Sequence, residues 1–287
     1  MIEINGMVGG GIHGVMIGTK EEKSGVQSTI QLVACSALRR NLLVSLSEGD
    51  KPLGDIRDEL NVSSTTAIHA LRDLEKGNIV LQDENKRYGL TRIGEIIALN
   101  LINFMNAINV LKKHENFWLE HDISGIPEHL LGKIGCLSDS IVVKDTATDI
   151  FKVHSNYVAM LKDANEIKGV SPIFVPEYPV IFEELIMKKK ADVELIVTKE
   201  VLDKIDKEIL GKISDSKNSH LKLYAIAEDV KAALTITDRH ISLGFFRLDG
   251  TYDYSNDLLS YDKEAIEWGK ELFEWYLKQT ERVCDVR

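Results

Sequence analysis

Residues 53–80 read LGDIRDELNVSSTTAIHALRDLEKGNIV, and the apolar spacing within this stretch decides the fold of the N-terminal part of the chain. A first short helix is expected directly after Pro52, because proline favours helix starts, and its apolar face consists of Leu53, Ile56 and Leu60. After a tight break at Asn61-Val62-Ser63, a second helix is expected from Ser63 or Ser64 to Gly77. Its inward face consists of Ala67, Ile68, Leu71 and Leu74.

The flanking segments extend this pair of helices into a complete domain. Upstream, apolar residues three and four positions apart predict one helix that starts near Ser28 and is stopped by Gly49. They are Ile30, Val33, Ala34, Ala37, Leu38, Leu42, Leu43 and Leu46. Downstream, Ile79–Gln82 and Arg87–Thr91 flank a polar turn, which predicts a β-hairpin. Helix, short helix, short helix and hairpin is the order of a winged helix-turn-helix, so residues 28–91 are assigned to that domain. The glycine-containing residues 1–27 are expected to form a flexible or short N-terminal leader.

The winged helix predicts a set of contacts to double-stranded DNA. The segment 53–80 is similar to the winged helices of archaeal and bacterial regulators, in which the N-terminal residues of the recognition helix lie nearest the bases. Hydroxyls and backbone amides there suit both phosphates and base edges, and basic residues of the wing suit a flanking phosphate or the minor groove. The nine candidates are Ser63, Ser64, Thr65, Thr66, His69, Arg72, Asn85, Lys86 and Arg87.

Each candidate also has a purely structural interpretation. Ser63 or Ser64 is expected to cap the helix, which contributes about 1 kcal/mol and does not exclude contact with DNA. His69 is equally well explained as a solvent-facing side chain. Arg72 is placed to pair with Glu75 three residues on. Since some winged helices bind only protein, a protein-interaction module is an alternative function.

A long helix is expected to follow the wing as a connecting segment, residues 92–118. Its apolar stripe of Ile93, Ile97, Leu101, Phe104, Ile108 and Leu111 has a mean spacing of (111−93)/5 = 3.6 residues, the α-helical period. A second apolar set of Ile96, Ile102 and Met105 widens the stripe. We predict packing against a second copy of the chain, and a homodimer would present two recognition helices to a pseudo-palindromic site. The alternative is burial against the C-terminal domain alone.

Residues 119–287 alternate between strand and helix patterns, which predicts an α/β domain with a mixed sheet. The candidate strands are Ile141–Lys144, Ser171–Val175, Val193–Thr198, Leu221–Ile226, Ala232–Thr237 and Ile241–Phe246. The candidate helices are Asp149–Asp163, Pro179–Lys189, Lys199–Ile213 and a last amphipathic helix capped by Asp262.

One segment of the second half resembles a catalytic motif. His220 and Lys222, followed by Asp229, resemble the His-x-Lys-x4-Asp motif of phospholipase D-like domains, but Ala227 occupies the place of the acid and no second copy follows. A phosphodiester hydrolase is therefore the weakest alternative, and a degenerate, non-catalytic relative of that fold fits better. His121, Asp122 and His129 lack the usual ligand number and spacing of a zinc site. No enzyme activity, cofactor or metal is predicted.

An effector pocket is expected at the carboxyl ends of the strands, where open α/β sheets bind ligands. The candidate residues are Ser171, Tyr178, His220, Lys222, Asp238 and Arg239.

Composition bounds the remaining possibilities. The net charge of −10 is uneven: residues 28–118 hold 11 Lys/Arg and 11 Asp/Glu, whereas residues 119–287 hold 22 and 31. This asymmetry favours two functional modules and leaves room for a local basic footprint. No run in the sequence approaches the roughly 18 apolar residues that a membrane-spanning helix requires. The N-terminus lacks an export signal, and the three cysteines, Cys35, Cys136 and Cys284, are read as ordinary thiols of a cytoplasmic protein.

The second half carries a resemblance to one archaeal family. The segments are FWLEHDISGIPEHLLGKIGCL, IKGVSPIFVPEYPVIFEELI, VELIVTKEVLDKI and EAIEWGKELFEWYLKQ, and the most distinctive is His121–Pro127. They resemble the methanogenesis regulatory proteins, winged-helix regulators with a characteristic effector-type middle domain. The resemblance extends from about Ser28 to the C-terminus. It implies a DNA-binding transcription regulator, expected here as a homodimer whose second domain senses an unidentified small-molecule or protein effector.

Overall fold

The computed structural model describes residues 20–208, 220–227 and 229–283. The chain forms two compact units, one ending at Ile102 and the other beginning at Asn103. The expected combination of a winged helix with a mixed α/β sheet is confirmed. Most of the predicted leader and Cys284 lie outside the described residues.

The described residues of the first unit form four complete helices, the beginning of a fifth, and a small sheet. The helices are α1 (Lys20–Ala34), α2 (Ala37–Ser47), α3 (Leu53–Leu60) and α4 (Ser64–Lys76), and the strands are β1 (Lys51–Pro52), β2 (Val80–Gln82) and β3 (Arg87–Leu90). The strands pair antiparallel in the order β1-β3-β2, so the predicted hairpin gains a third, very short strand. The interior is formed by the fully buried side chains of Leu42, Leu43, Ile56, Leu71 and Leu74.

Two predictions upstream of α3 are wrong. The helix expected as one element from Ser28 is broken at Cys35-Ser36, because the Ser36 side chain accepts a hydrogen bond from the backbone N–H of Arg39 and so starts α2. The leader expected to reach residue 27 already belongs to α1 from Lys20 onward.

The connecting segment is one long helix followed by a break. Helix α5 covers Arg92–Lys113, and α6 (Glu115–Glu120) follows after His114. The single helix expected over residues 92–118 therefore ends at Lys113. Thr91 begins α5 by accepting a hydrogen bond from the backbone N–H of Gly94.

The second unit is built on a mixed sheet of nine strands. They are β4 (His121–Asp122), β5 (Ile141–Lys144), β6 (Glu166–Ser171), β7 (Asp192–Thr198), β8 (Leu221–Ile226), β9 (Ala232–Thr237), β10 (Ile241–Arg247), β11 (Asn256–Ser260) and β12 (Thr280–Arg282). The order is β12-β8-β7-β6-β9-β10-β11-β5, and β4 pairs with β10. Strands β6, β7 and β8 are parallel, whereas β9 runs antiparallel to β6.

Helices cover both faces of this sheet. The short helix α7 (Glu128–Leu131) and the last helix α11 (Lys263–Leu277) lie on one face, where Trp268 and Phe273 are buried. On the other face lie α8 (Lys152–Asp163), α9 (Tyr178–Glu184) with a π-helical turn at Leu185–Lys189, and the short α10 (Lys199–Lys204). Asp262 caps α11, as expected, by accepting hydrogen bonds from the N–H groups of Glu264 and Ala265.

Several strand and helix boundaries differ from the expected ones. The strand expected at Ser171–Val175 is β6, which ends at Ser171. The expectation missed it because Glu166 and Lys168 interrupt the apolar pattern, and Lys168 is satisfied by Glu194 on the neighbouring strand. The helix expected over Lys199–Ile213 first ends at Lys204, and its part beyond residue 208 lies outside the described residues.

Candidate nucleic-acid interface and second-unit cavity

The start of α4 has the geometry of a capped recognition helix. The Ser63 hydroxyl accepts a hydrogen bond from the N–H of Thr66 at 3.1 Å and lies 2.8 Å from the Thr66 hydroxyl. The capping role expected for Ser63 is therefore present. All four predicted residues at this end are exposed: Ser63, Ser64, Thr65 and Thr66.

The rest of α4 separates a buried face from a solvent face. Ala67, Ala70, Leu71 and Leu74 are buried against the first unit, which leaves His69 and Arg72 exposed on the opposite side. The alternative ion pair between Arg72 and Glu75 does not form, and Arg72 has no salt-bridge partner in the part of the chain that the structure describes. Its guanidinium is thus available to a ligand.

The wing is a tight turn with three exposed predicted contacts. Lys86 has a φ of 59°, in the left-handed region, and Asp83 accepts a hydrogen bond from the backbone N–H of Arg87 at 2.7 Å. Asn85 and Lys86 point their functional groups to solvent. Arg87 also remains exposed, but its guanidinium donates to the backbone oxygen of Asp50. Part of the hydrogen-bonding capacity of Arg87 is consequently used within the domain.

Helix α5 exposes an apolar stripe. Five large apolar side chains on one face of the helix are exposed, and each lies within about 60° of their mean direction around the helix axis. They are Ile93, Ile96, Phe104, Ile108 and Leu111. Leu101, which the sequence pattern placed in the same stripe, is buried. Contrary to expectation, α5 is long and apolar enough to cross a membrane by length and composition, a criterion that apolar helices of non-membrane proteins also meet. Four asparagines, at positions 100, 103, 106 and 109, interrupt its apolar surface.

The second unit contains a cavity of about 750 Å³. Its floor is formed by strands β6 to β11, and its walls by α8, α9, α10 and the segments around them. Most of the lining is apolar or aromatic, with Tyr157, Tyr178, Tyr252 and Tyr254 among the aromatic residues. Gly244 makes room for one of these rings, because a Cβ atom there would collide with the hydroxyl of Tyr252. Volume and lining are those of a small-molecule site.

A carboxylate lies within this cavity. Asp257 is only partly accessible, and its carboxylate accepts a hydrogen bond from the Ser242 hydroxyl at 2.7 Å. Burial raises the pKa of Asp257 to about 6, against the opposing effect of that hydrogen bond. Burial likewise raises the pKa of Tyr157 to about 12 and that of Tyr178 further, and the charge of Asp257 adds to both increases. The phenols thus remain neutral hydrogen-bonding groups.

Two of the six residues expected at an effector pocket line this cavity, Ser171 and Tyr178. The expected grouping of the other four with them is wrong. Asp238 and Arg239 follow β9. Because β9 is antiparallel to β6, the carboxyl end of β9 lies beside the amino end of β6, away from Ser171. His220 precedes β8 and pairs with Asp192 at 2.7 Å. Lys222 lies on the α11 face near Glu194, since Leu221 and Leu223 take the cavity side of β8.

The other candidate catalytic and metal-ligating residues lie outside the lining of this cavity. His220 and Lys222 each face a carboxylate of the neighbouring strand β7, Asp192 and Glu194 respectively. His129 is exposed, and Asp122 accepts a hydrogen bond from the N–H of Ser124 in a turn. Within the described ranges, no group of three or more His, Cys, Asp or Glu side chains is arranged to hold a metal ion.

The distinctive segment beginning at His121 has a structural role that the sequence pattern did not show. His121 is buried, with Nδ1 2.6 Å from the Phe117 carbonyl oxygen and Nε2 3.1 Å from Asp253 Oδ2. Asp253 also accepts hydrogen bonds from Arg247, Ser255 and Asn256. Burial opposes the ionisation of Asp253, but these hydrogen bonds outweigh it and hold its pKa below the ordinary value. The network ties β4 to the connection between β10 and β11.

Two family models match the chain. Residues 27–109 match the N-terminal domain of the methanogenesis regulatory protein FilR1, and residues 150–279 match its middle domain. The chain is 27% identical over 261 residues to the methanogenesis regulatory protein FilR1 of Methanothrix harundinacea (strain 6Ac). That match covers 88% of this chain and 58% of the relative, so the chain spans less than two thirds of the length of the relative.

Solved structures with similar parts include two proteins of low sequence identity. TrmBL2, described as an archaeal chromatin protein with a novel mode of DNA binding, is 18% identical, with 84% of this chain and 91% of that chain covered and a TM-score of 0.40. NucT from Helicobacter pylori is 14% identical, with 50% and 98% covered and a TM-score of 0.38.

Proposed function

The chain belongs to the family of the methanogenesis regulatory protein FilR1, and from this premise we propose that it is a DNA-binding transcription regulator. The observation that supports the proposal is the exposed, capped start of α4 with the unpaired Arg72 on its outward face. Donor groups of this kind at a helix N-terminus suit phosphates and base edges. We assign the contacts to Ser63, Ser64, Thr65, Thr66, His69, Arg72, Asn85, Lys86 and Arg87.

Electrostatics favour a local rather than a general attraction to DNA. With a net charge of −10 the chain as a whole repels the phosphate backbone, so binding depends on the near-neutral first unit. Arg72 and Lys86 supply side chains that are not engaged in ion pairs among the described residues. A footprint of so few cations predicts a shallow salt dependence, because each neutralised phosphate contributes about −0.9 to the slope of log K against log salt.

The exposed stripe of α5 supports a homodimer. Five large apolar side chains on one helical face are unfavourable in water, and a second copy of the same helix offers a matching surface. Two copies would present two α4 helices to the two halves of a pseudo-palindromic operator. We accordingly assign α5 to the dimer interface and expect the protein to act in the cytoplasm on its operator.

The second unit is proposed to be the regulatory part, and its cavity the effector site. A ligand bound there alters DNA affinity to the extent that it binds the two DNA-affinity states of the protein differently. We infer no catalysis, because His220 and Lys222 engage Asp192 and Glu194 and Ala227 occupies the place of the motif's acid.

Binding to DNA in a salt series tests the function. The purified chain is titrated against a duplex from its own upstream region and against a scrambled duplex of the same composition. Tighter binding to the upstream duplex that weakens with salt is expected. Lys86→Ala should reduce the salt slope by about 1 on both duplexes. Absence of salt-dependent binding to either duplex would favour the alternative, a winged helix that binds protein.

A further inference from the structure

The ionisable side chains that line the cavity of the second unit are mostly acidic. Four carboxylates line it, those of Asp145, Glu177, Asp253 and Asp257, against one imidazole, that of His154. No Lys or Arg of the described chain lines this cavity. An anionic ligand would enter such a site without a counter-ion and against the negative field of its walls.

Three of the four carboxylates are already neutralised or bonded within the protein. Asp145 accepts a hydrogen bond from the N–H of Val153 at the start of α8. Glu177 lies 3.0 Å from Nε2 of His154. The Asp253 carboxylate belongs to the buried network with His121 and Arg247, and the Arg247 guanidinium is its positive partner.

Unlike Glu177 and Asp253, and like Asp145, Asp257 has only neutral hydrogen-bond donors in the described structure. They are the Ser242 hydroxyl at 2.7 Å and the backbone N–H groups of Leu243 and Leu258. No Lys, Arg or His forms an ion pair with it among the described residues. A carboxylate in the interior without a positive partner is costly, and an external cation that reaches it recovers part of that cost.

Aromatic side chains surround the same carboxylate. The rings of Tyr157 and Tyr178 lie 5.1 Å apart, and those of Tyr252 and Tyr254 lie 4.8 Å apart. Tyr157, Tyr178 and Tyr252 line the same cavity as Asp257, and the Tyr252 hydroxyl and the Asp257 carboxylate both lie within 4 Å of the Cβ position of Gly244. Electron-rich rings next to a carboxylate attract organic cations by the cation–π interaction.

We propose that this cavity binds an organic cation with an apolar, aromatic-sized body, and that the carboxylate of Asp257 is its counter-ion. The cavity volume of about 750 Å³ accommodates a ligand of drug size. The apolar body packs on Phe174, Phe182 and Leu195 of the lining, and the cationic nitrogen lies between Asp257 and the phenols. The proposal deepens the proposed function, on which it rests only for the statement that the ligand changes DNA affinity.

The proposal is tested with three probes that share a phenyl ring on a four-carbon chain and carry a positive, a neutral or a negative head group. The probes are 4-phenylbutylamine, 4-phenylbutan-1-ol and 4-phenylbutyrate, titrated calorimetrically into the full chain without DNA at about pH 7.5, where the amine is protonated. The amine should bind at least about 10-fold more tightly than the alcohol, and the carboxylate should bind least.

Two variants locate the effect at Asp257. Asp257→Asn should bring the Kd of the amine to within about twofold of that of the alcohol and leave the Kd of the alcohol unchanged. Asp139→Asn, which removes one exposed carboxylate outside the cavity, should retain the wild-type preference. Should Asp257→Asn fail to fold, the charge series on the wild-type chain still decides whether the cavity selects cations.

Several results would overturn the proposal. They are tighter binding of the carboxylate, equal Kd values for the three probes, failure of all three to bind at millimolar concentration, and an amine preference that persists in Asp257→Asn. Because no DNA is present, any of these results leaves the DNA-binding function standing. Loss of DNA binding in the salt series would likewise leave the ligand class standing.

Discussion

Nε2 of His121 lies 3.1 Å from Oδ2 of Asp253, although the two residues are 132 positions apart in the chain. Both are 3% exposed, and the second ring nitrogen of His121 faces the Phe117 carbonyl oxygen. Both ring nitrogens therefore face oxygen acceptors. The pair joins β4 to the β10–β11 connection through a buried polar contact.

Breaking this contact should destabilise the second unit. Asp253→Asn removes the carboxylate that His121 and Arg247 share, and removing one member of a buried pair costs about 3 kcal/mol. The free energy of unfolding is measured with urea and tryptophan fluorescence, because Trp118, Trp268 and Trp275 all lie in the second unit. Asp249→Asn, an exposed carboxylate on the same connection, should cost less than about 1 kcal/mol. Equal losses in the two variants would show that the buried contact is not stabilising.

Asp257 should make the second unit less stable as pH rises. Its pKa in the folded state is about 6 against 3.8 for the ordinary group, so the folded protein binds this proton more tightly than the unfolded chain. Stability attributable to Asp257 is then present below about pH 4 and is lost as pH rises through about pH 6.

The variant Asp257→Asn isolates this contribution, because all other titrating groups remain in both proteins. Relative to wild type, its free energy of unfolding should rise by roughly 2–3 kcal/mol between about pH 4 and about pH 8. Asp253, with its lowered pKa, acts in the opposite direction and cancels in the difference. A difference that is independent of pH would contradict the raised pKa of Asp257.

Ser63 should separate helix capping from DNA contact. Ser63→Ala removes the side-chain acceptor of the Thr66 N–H and should accelerate hydrogen exchange at the start of α4 about fivefold, equivalent to about 1 kcal/mol. Ser63→Asp retains a capping oxygen but adds a negative charge, so exchange should stay near wild type while DNA affinity falls about tenfold. Unchanged DNA affinity in Ser63→Asp would remove the start of α4 from the interface.

The exposed stripe of α5 should hold the dimer together. Phe104→Glu places a charge within the stripe and should yield a monomer in sedimentation velocity experiments. The matched control is Leu99→Glu on the same helix: Leu99 is 61% exposed and Phe104 62%, but Leu99 lies outside the stripe. A wild-type chain that sediments as a monomer, or that co-sediments with lipid vesicles through α5, would contradict the dimer assignment.

Local signals made the first unit readable from sequence. The cap at Ser63, the stop at Gly77 and the polar turn before Arg87 each act within a few residues, and the structure places elements accordingly. The break at Cys35-Ser36 was not predicted, because the apolar spacing continues across it without interruption. Spacing alone does not distinguish one helix from two consecutive helices.

The cavity could not be predicted in the same way, because its residues meet only through the sheet topology. Asp257 and Tyr157 are 100 positions apart, and they come together because β11 and α8 both neighbour β5. Strand β11 was not predicted, because the polar residues Asn256, Asp257 and Ser260 leave only two apolar residues in it. Asp238 lies beside the amino end of β6 because β9 runs antiparallel to β6. This direction follows from long-range pairing that no short segment encodes.

Sequence-specific reading of DNA by α4 is measured by the ratio of the Kd values for the scrambled and upstream duplexes. The wild-type chain should bind the upstream duplex more tightly. Arg72→Ala should weaken binding to that duplex by about 1–3 kcal/mol and affect the scrambled duplex much less. Equal affinity of the wild-type chain for both duplexes, or a ratio that Arg72→Ala leaves unchanged, would contradict the assignment of α4 as the reading helix.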